Sequence, residues 1–190
     1  MQYIKSNIGF IISMVLLAII ALNPEAKSLL LKGLIKSGLY EPDFVPAKAE
    51  GESAVQSALF RSVNGELIDV AKSKGKVIFI NFWAEWCPPC IAEMPSISNL
   101  AKHFKDEKDL LFLMANVDGE LKASQDYFEK NSYPLPAFIP AGTIPKSIFQ
   151  GTLPTTVIIN KNGEIVYQHD GIADYNTQET KDFIERLLLQ

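Results

Sequence analysis

Val77-Ile-Phe-Ile-Asn-Phe-Trp-Ala-Glu-Trp-Cys-Pro-Pro-Cys90 is the stretch on which the reading of this chain turns. Its first part, Val77 to Trp83, is an apolar run rich in β-branched and aromatic residues, bounded upstream by Lys74-Gly75-Lys76. A run of this length with so little polar alternation suits a strand buried on both faces. From Pro88 onward the period changes: Ile91, Met94, Ile97, Leu100, Ala101 and Phe104 recur at helical spacing up to a charged cluster at 105–109. The pattern predicts a central strand followed at once by a helix. Pro95 is expected to kink that helix, because proline lacks the N–H and crowds the preceding turn.

This handover places Cys87 at a helix N-terminus, where unpaired amides and the helix dipole stabilise a thiolate. Cys90, three residues on, falls on the same face at roughly 5 to 6 Å between α-carbons, within the reach of a disulfide. The chain has just these two cysteines, and a loop so short gains little as a structural cross-link. Redox exchange or metal binding remains. A four-coordinate zinc site usually needs a second ligand pair, and His103 and His169 stand isolated, so no metal is expected. A c-type haem attachment would need histidine after Cys90, where Ile91 stands. Exchange requires attack by an accessible thiolate, here Cys87, and then attack by a second thiol, Cys90, that expels the product. Pro88 and Pro89 offer no N–H to the Cys87 sulfur. That predicts a less acidic Cys87, a less favoured reduced state than in a strong oxidant, and so a reductase. No cofactor is implied beyond the Cys87–Cys90 pair.

With 190 residues the chain accommodates one ordinary domain and an N-terminal appendage. A formal net charge of -4 argues against a general nucleic-acid binder, which needs a basic face. Beyond the first helix, Leu110 to Val117 reads as a strand, Leu121 to Asn131 as a helix and Leu135 to Ile139 as a weaker strand interrupted by Pro136. Thr155 to Asn160 and Glu164 to His169 flank Lys161-Asn162-Gly163, whose Asn-Gly pair signals an antiparallel hairpin. Asn176 with Glu179 gives a capped start to a final helix burying Phe183, Ile184 and Leu187. These elements predict an α/β fold: a mixed central sheet with helices on both faces.

The N-terminal segment is of another kind. Ile8 to Leu22 is an uninterrupted apolar stretch after Lys5, broken only by Gly9 and Ser13, and suits an export signal or an anchor. Ala21-Leu22-Asn23-Pro24 fits an A-x-A-like cleavage pattern poorly, which favours an uncleaved membrane-anchor helix. Leu30, Leu31, Leu34 and Ile35 then recur at helical spacing, as in an amphipathic helix at the membrane surface or one packed on the domain. Lys27, Lys32 and Lys36 outnumber Lys5, so the positive-inside rule does not favour export. Glu41 to Ser53, rich in proline, glycine and charge, reads as a linker. The expected organisation is residues 1–40 as anchor and juxtamembrane helix, 41–57 as linker and 58–190 as the domain.

Asn81-Phe-Trp-Ala-Glu-Trp-Cys-Pro-Pro-Cys90 resembles the thioredoxin active-site segment, and Cys90-Ile-Ala-Glu-Met-Pro95 is similar to the TlpA/ResA-like branch. The resemblance covers about residues 58 to 190 and implies a thioredoxin-like fold. Where thioredoxin has a buried aspartate, this chain has Asn81, which cannot titrate. The branch carries a glutamate three residues after the second cysteine, which maps to Glu93. One turn from Cys90, Glu93 is a candidate carrier for the resolving cysteine's proton, against the alternative of a solvated helix residue. A cis-proline loop facing the site is also implied, matched by Gly151-Thr-Leu-Pro-Thr155. Pro154 is its proline, and Leu153 is the residue whose backbone would pair with an extended client. Trp86 and Pro88, flanking the nucleophile, are the other candidate client contacts. Leu121 to Ile139 corresponds to the branch's extra helix and strand.

The resemblance further implies protein disulfide or dithiol clients, a membrane electron donor, and a catalytic domain held outside the cytoplasm on the periplasmic side. Relatives of this kind often serve cytochrome c maturation. Two other readings compete. A thiol peroxidase would place its cysteine in a Thr-x-x-Cys setting, whereas Cys87 follows Ala84-Glu-Trp. An anchored binding module with incidental thiols would lack turnover of an insulin-type disulfide.

Overall fold

Two short strands absent from the sequence reading begin the sheet. In the computed structural model, which describes residues 8–36 and 54–190, β1 (Leu59–Ser62) and β2 (Leu67–Asp69) pair antiparallel. Asn64-Gly65 turns the chain between them, with Gly65 at φ 81°, a conformation that glycine adopts without steric cost. The Asn-Gly pair was the available signal. The linker expected from Glu41 to Ser53 lies outside the described residues. Val55 is buried and donates its N–H to the Gly163 carbonyl at 2.7 Å.

β3 (Val77–Trp83) is buried along its whole length. It lies between β4 (Leu110–Asn116), which runs parallel to it, and β6 (Thr155–Ile159), which runs antiparallel. β5 (Ala137–Pro140) extends the sheet beyond β4, and β7 (Ile165–Asp170) closes the other edge. The order is β2-β1-β5-β4-β3-β6-β7, a mixed sheet. The Asn162-Gly163 hairpin forms between β6 and β7, with Gly163 at φ 84°.

Five helices accompany the sheet in the described residues: α1 (Ile8–Leu22), α2 (Pro24–Lys36), α3 (Pro88–His103), α4 (Leu121–Lys130) and α5 (Gln178–Leu188). α3 continues through Pro95. The cap of α5 differs from the expectation: Thr177, not Asn176, caps it, its Oγ1 accepting from the Thr180 N–H at 3.2 Å. Asn176 is engaged otherwise, its N–H donating to Asp174 Oδ1.

The expectation of helices on both faces needs correction. Met94, Ile97 and Leu100 of α3, Phe128 of α4 and Ile184 and Leu187 of α5 all join one cluster with Val77, Phe79 and Trp83. Ile78, Ile80 and Phe82, the alternate residues of β3, pack instead with Val55, Ala58, Val70 and Ile148. These come from extended chain, a 3-10 turn (Val70–Lys72) and the 141–154 connection. Handedness explains the asymmetry. β3, β4 and β5 are parallel and step in one direction across the sheet, so right-handed crossovers put α3 and α4 on the same side.

α2 is packed on the domain. It lies against α3, with Ser28 and Ile35 buried while Leu29 and Leu30 stay exposed. α1 presents apolar side chains all round, and Phe10, Ile12, Leu16 and Leu17 among them are exposed. It has 15 residues, roughly 22 Å of helix against about 30 Å of bilayer hydrocarbon. Among the described residues no helix is long and apolar enough to cross a membrane.

Candidate active site

The chain leaves the C-terminal end of β3, turns through Ala84-Glu85-Trp86, and enters α3 with Cys87 as its N-cap. Cys87 is bonded to Cys90 with the α-carbons 5.3 Å apart. Pro88 and Pro89 have no N–H, so the first amide able to reach the Cys87 sulfur is that of Cys90, which donates to Sγ at 3.3 Å. Ile91 is committed to the helix, its N–H bonding the Cys87 carbonyl at 3.1 Å. The sulfur thus has one backbone donor where a helix N-terminus commonly offers two or three.

Accessibility is lower than the sequence suggested. Cys87 is 3% exposed and Cys90 0%, because both sulfurs sit in the apolar cluster with Trp83 and Ala84, against which Leu153 packs. Cys87 is still the outer of the two. Above it, Trp86 is 66% exposed and is held by one bond, from indole Nε1 to Asp118 Oδ2 at 2.6 Å.

Asp118 and its support are residues that sequence reasoning missed. Asn116, buried at the end of β4, accepts from the Asp118 and Gly119 N–H groups at 3.0 and 2.8 Å, and donates to Ser124 Oγ at 2.7 Å. A Cβ on Gly119 would meet Asn116 Nδ2 at 2.2 Å, so a larger residue there would displace the Asn116 side chain or the turn. Asn116-Val-Asp-Gly119 after a strand was a recognisable turn signal, but nothing local joins it to Trp86.

Glu93 lies one helical turn past Cys90 and is wholly buried. Asn81 Nδ2 donates to its Oε1 at 2.7 Å and to Thr156 Oγ1 at 3.0 Å, while the Ala173 N–H donates to Oε2 at 3.3 Å. Burial is the dominant influence and raises the carboxyl from its ordinary 4.5 to about 8, with the Asn81 and Ala173 bonds acting against it. Asn81, read as a non-titrating replacement, is therefore a direct partner of the glutamate. Burial, and then the Glu93 charge, hold the nearby Tyr175 hydroxyl well above its ordinary value.

The Leu153–Pro154 peptide bond is cis. Pro154 is buried and its carbonyl accepts from the Gly171 N–H at 2.8 Å. Thr155 Oγ1 lies 2.8 Å from the Thr152 carbonyl and 2.6 Å from Asp170 Oδ1. Among the described residues nothing pairs with the Leu153 N–H or carbonyl. Pro88 is partly buried beside the cysteines. No cluster of three or more candidate metal ligands occurs among the described residues. His103 instead faces Glu185 at 3.7 Å on the surface.

Comparison with known proteins agrees with this geometry. The model of the Redoxin family matches residues 42–184. The thiol-disulfide oxidoreductase ResA of Halalkalibacterium halodurans is 32% identical over 136 residues, covering 71% of this chain and 75% of that protein. ResA of Bacillus cereus is 29% identical over 162 residues, 84% of this chain and 90% of the relative. The crystal structure of StoA from Bacillus subtilis superposes with a TM-score of 0.54 at 23% identity, covering 70% of this chain and 98% of StoA.

Proposed function

The chain belongs to the Redoxin family, as a thiol-disulfide oxidoreductase of the TlpA/ResA-like branch of the thioredoxin superfamily, and from that premise we propose that it reduces or isomerises protein disulfides outside the cytoplasm. The observation that carries the reading is the order of groups along α3: Cys87 outermost, Cys90 beneath it, and the buried Glu93 carboxyl one turn further on. In the reduced protein the Cys87 thiolate, steadied by the Cys90 N–H and the helix N-terminus, attacks one sulfur of a client disulfide. The client's other sulfur leaves as a thiolate and takes up a proton. Glu93, in its ionised form, then accepts the Cys90 proton, directly or through water, and the Cys90 sulfur attacks Cys87 Sγ, expelling the client's first sulfur as a thiolate that takes up a proton in turn. The client leaves fully reduced and the Cys87–Cys90 disulfide remains, two electrons having passed to the client. A carboxyl at about 8 suits a thiol whose ordinary value is near 8.5.

The single N–H donor on Cys87 supports a reducing direction, since a weakly stabilised thiolate makes the dithiol the better electron source. Trp86 and Pro88 beside the nucleophile and the unpaired Leu153 backbone next to Pro154 form the client-facing surface, the latter suited to an extended chain. The exposed apolar surface of α1 supports attachment to a membrane, and a membrane electron donor would return the disulfide to the dithiol. Cytochrome c maturation is one setting for such clients.

The test uses the full chain in detergent micelles. Turnover of insulin disulfides is expected and should vanish in Cys87→Ser, while Cys90→Ser should accumulate a client joined to Cys87 and released by dithiothreitol. Undiminished turnover in Cys87→Ser would remove the chemical basis of the reading. Epitope tags that place residues 54–190 on the cytoplasmic side would overturn the location.

A further inference from the structure

Ser96 plays no part in the exchange steps, yet its hydroxyl joins two elements behind the active site. Oγ donates to the Glu93 carbonyl at 2.7 Å and accepts from the Tyr175 N–H at 3.2 Å, both bonds buried. Tyr175 follows by two residues Ala173, whose N–H bonds the Glu93 carboxyl. The 171–177 segment is thus tied to α3 at two neighbouring points, one at the Glu93 side chain and one at Ser96. Alanine would suit a helix interior better, so the hydroxyl is the property that calls for an explanation.

α2 covers the same place. A cavity of about 380 Å³ between α2 and α3 is lined by Lys32, Ile35, Ala92, Pro95, Ser96 and Asp174, among others. α2 lies outside residues 42–184, so this cover is additional to what the family match includes. Ser96 both lines this cavity and bonds the Glu93 carbonyl.

We propose that Ser96 is a positioning residue for Glu93: its hydroxyl fastens the 171–177 segment to α3, keeping the Ala173 N–H on the carboxyl and water away from it. The proposal rests on the reading of Glu93 as the proton carrier. Facing Glu93 stand Asn81 from the sheet, which does not titrate, the buried Tyr175, and Cys90 on its own helix, with Thr156 bonded to Asn81 and the buried Tyr167 beside Tyr175. Asp174 and Lys32 stand at the cavity. Burial above all keeps Tyr175 protonated through the neutral range. Without the Ser96 hydroxyl the buried Tyr175 N–H loses its partner, the segment separates from α3, and water reaches Glu93. Burial is what chiefly raises this carboxyl, so its titration should then move to lower pH.

The experiment follows alkylation of the reduced full chain by iodoacetamide from pH 5 to 10, in micelles, for the unaltered protein, Glu93→Gln, Ser96→Ala and Ser96→Thr. Besides the rise that comes with ionisation of the thiols themselves, the unaltered profile should contain a step near 8 that Glu93→Gln removes. Ser96→Ala should move the step down by about 1 pH unit. Ser96→Thr keeps the hydroxyl, with the cavity offering room for the added methyl, and should return the step to its original position. A step unmoved by Ser96→Ala, or moved equally by Ser96→Thr, overturns the proposal. A profile that Glu93→Gln leaves unchanged overturns the Glu93 reading instead. Hydrogen exchange on the unaltered protein gives a check independent of variant folding: the Ala173 and Tyr175 amides should be protected, and free exchange of both would overturn the positioning role.

Discussion

Glu93→Gln should make the protein more stable, and increasingly so as the pH rises. The native carboxyl stays protonated up to about 8, whereas in the unfolded chain it ionises near 4.5. Between those values the folded state holds a proton that the unfolded state has released, so stability falls as pH rises through that window and levels off above it. The gap amounts to about 5 kcal/mol above pH 8, about 3 at pH 7 and under about 1 at pH 5. Glutamine reproduces the neutral form at every pH. Asn81 Oδ1, buried and without a partner, can face an N–H of the new amide once the Asn81 amide turns over, as it can face the O–H of the neutral acid. Urea unfolding of the oxidised full chain, followed by circular dichroism, should show the advantage of the variant growing by about 4 kcal/mol from pH 5 to pH 9. That is a difference of about 2 M between midpoints. The same variant should slow disulfide exchange by about 10²-fold, as loss of a proton carrier does. Two unfolding curves that run parallel across this range, within about 1 kcal/mol, would refute the claim that burial holds Glu93 neutral.

Gly119→Ala forces its Cβ against Asn116 Nδ2, 2.2 Å away before any adjustment. The turn should shift, costing about 1 to 3 kcal/mol in urea unfolding, and Trp86 should lose Asp118, raising KM for insulin more than it lowers kcat. Ile35→Ala removes the most buried apolar contact of α2. Its cost should be about 2 kcal/mol and should appear as lost hydrogen-exchange protection in α2, with β3 and β6 unchanged; uniform loss throughout the domain would contradict local docking.

The parts of this protein that depend on neighbours in sequence are legible without a structure. Val77–Trp83 declares a buried strand by its unbroken apolar run, and Asn162-Gly163 declares a hairpin by its turn chemistry. Cys87 and Cys90 meet because they stand three positions apart across the first turn of a helix. Asn64-Gly65 carried the same kind of signal for β1 and β2, on a stretch too short in alternation to read as strands.

What the fold alone decides are the contacts between distant segments. Glu93 is buried rather than a solvated helix residue because its face of α3 is covered, and its cover includes Asn81 from β3 and Ala173, 80 positions away. Trp86 is steadied by Asp118, 32 positions on. The periodicity of α2 served equally for a membrane surface or for α3, since a stripe of leucines names no partner. Period and turn propensity are properties of a few adjacent residues. Burial, and the shift it imposes on a carboxyl, depend on which other elements displace water, and only the assembled chain determines that.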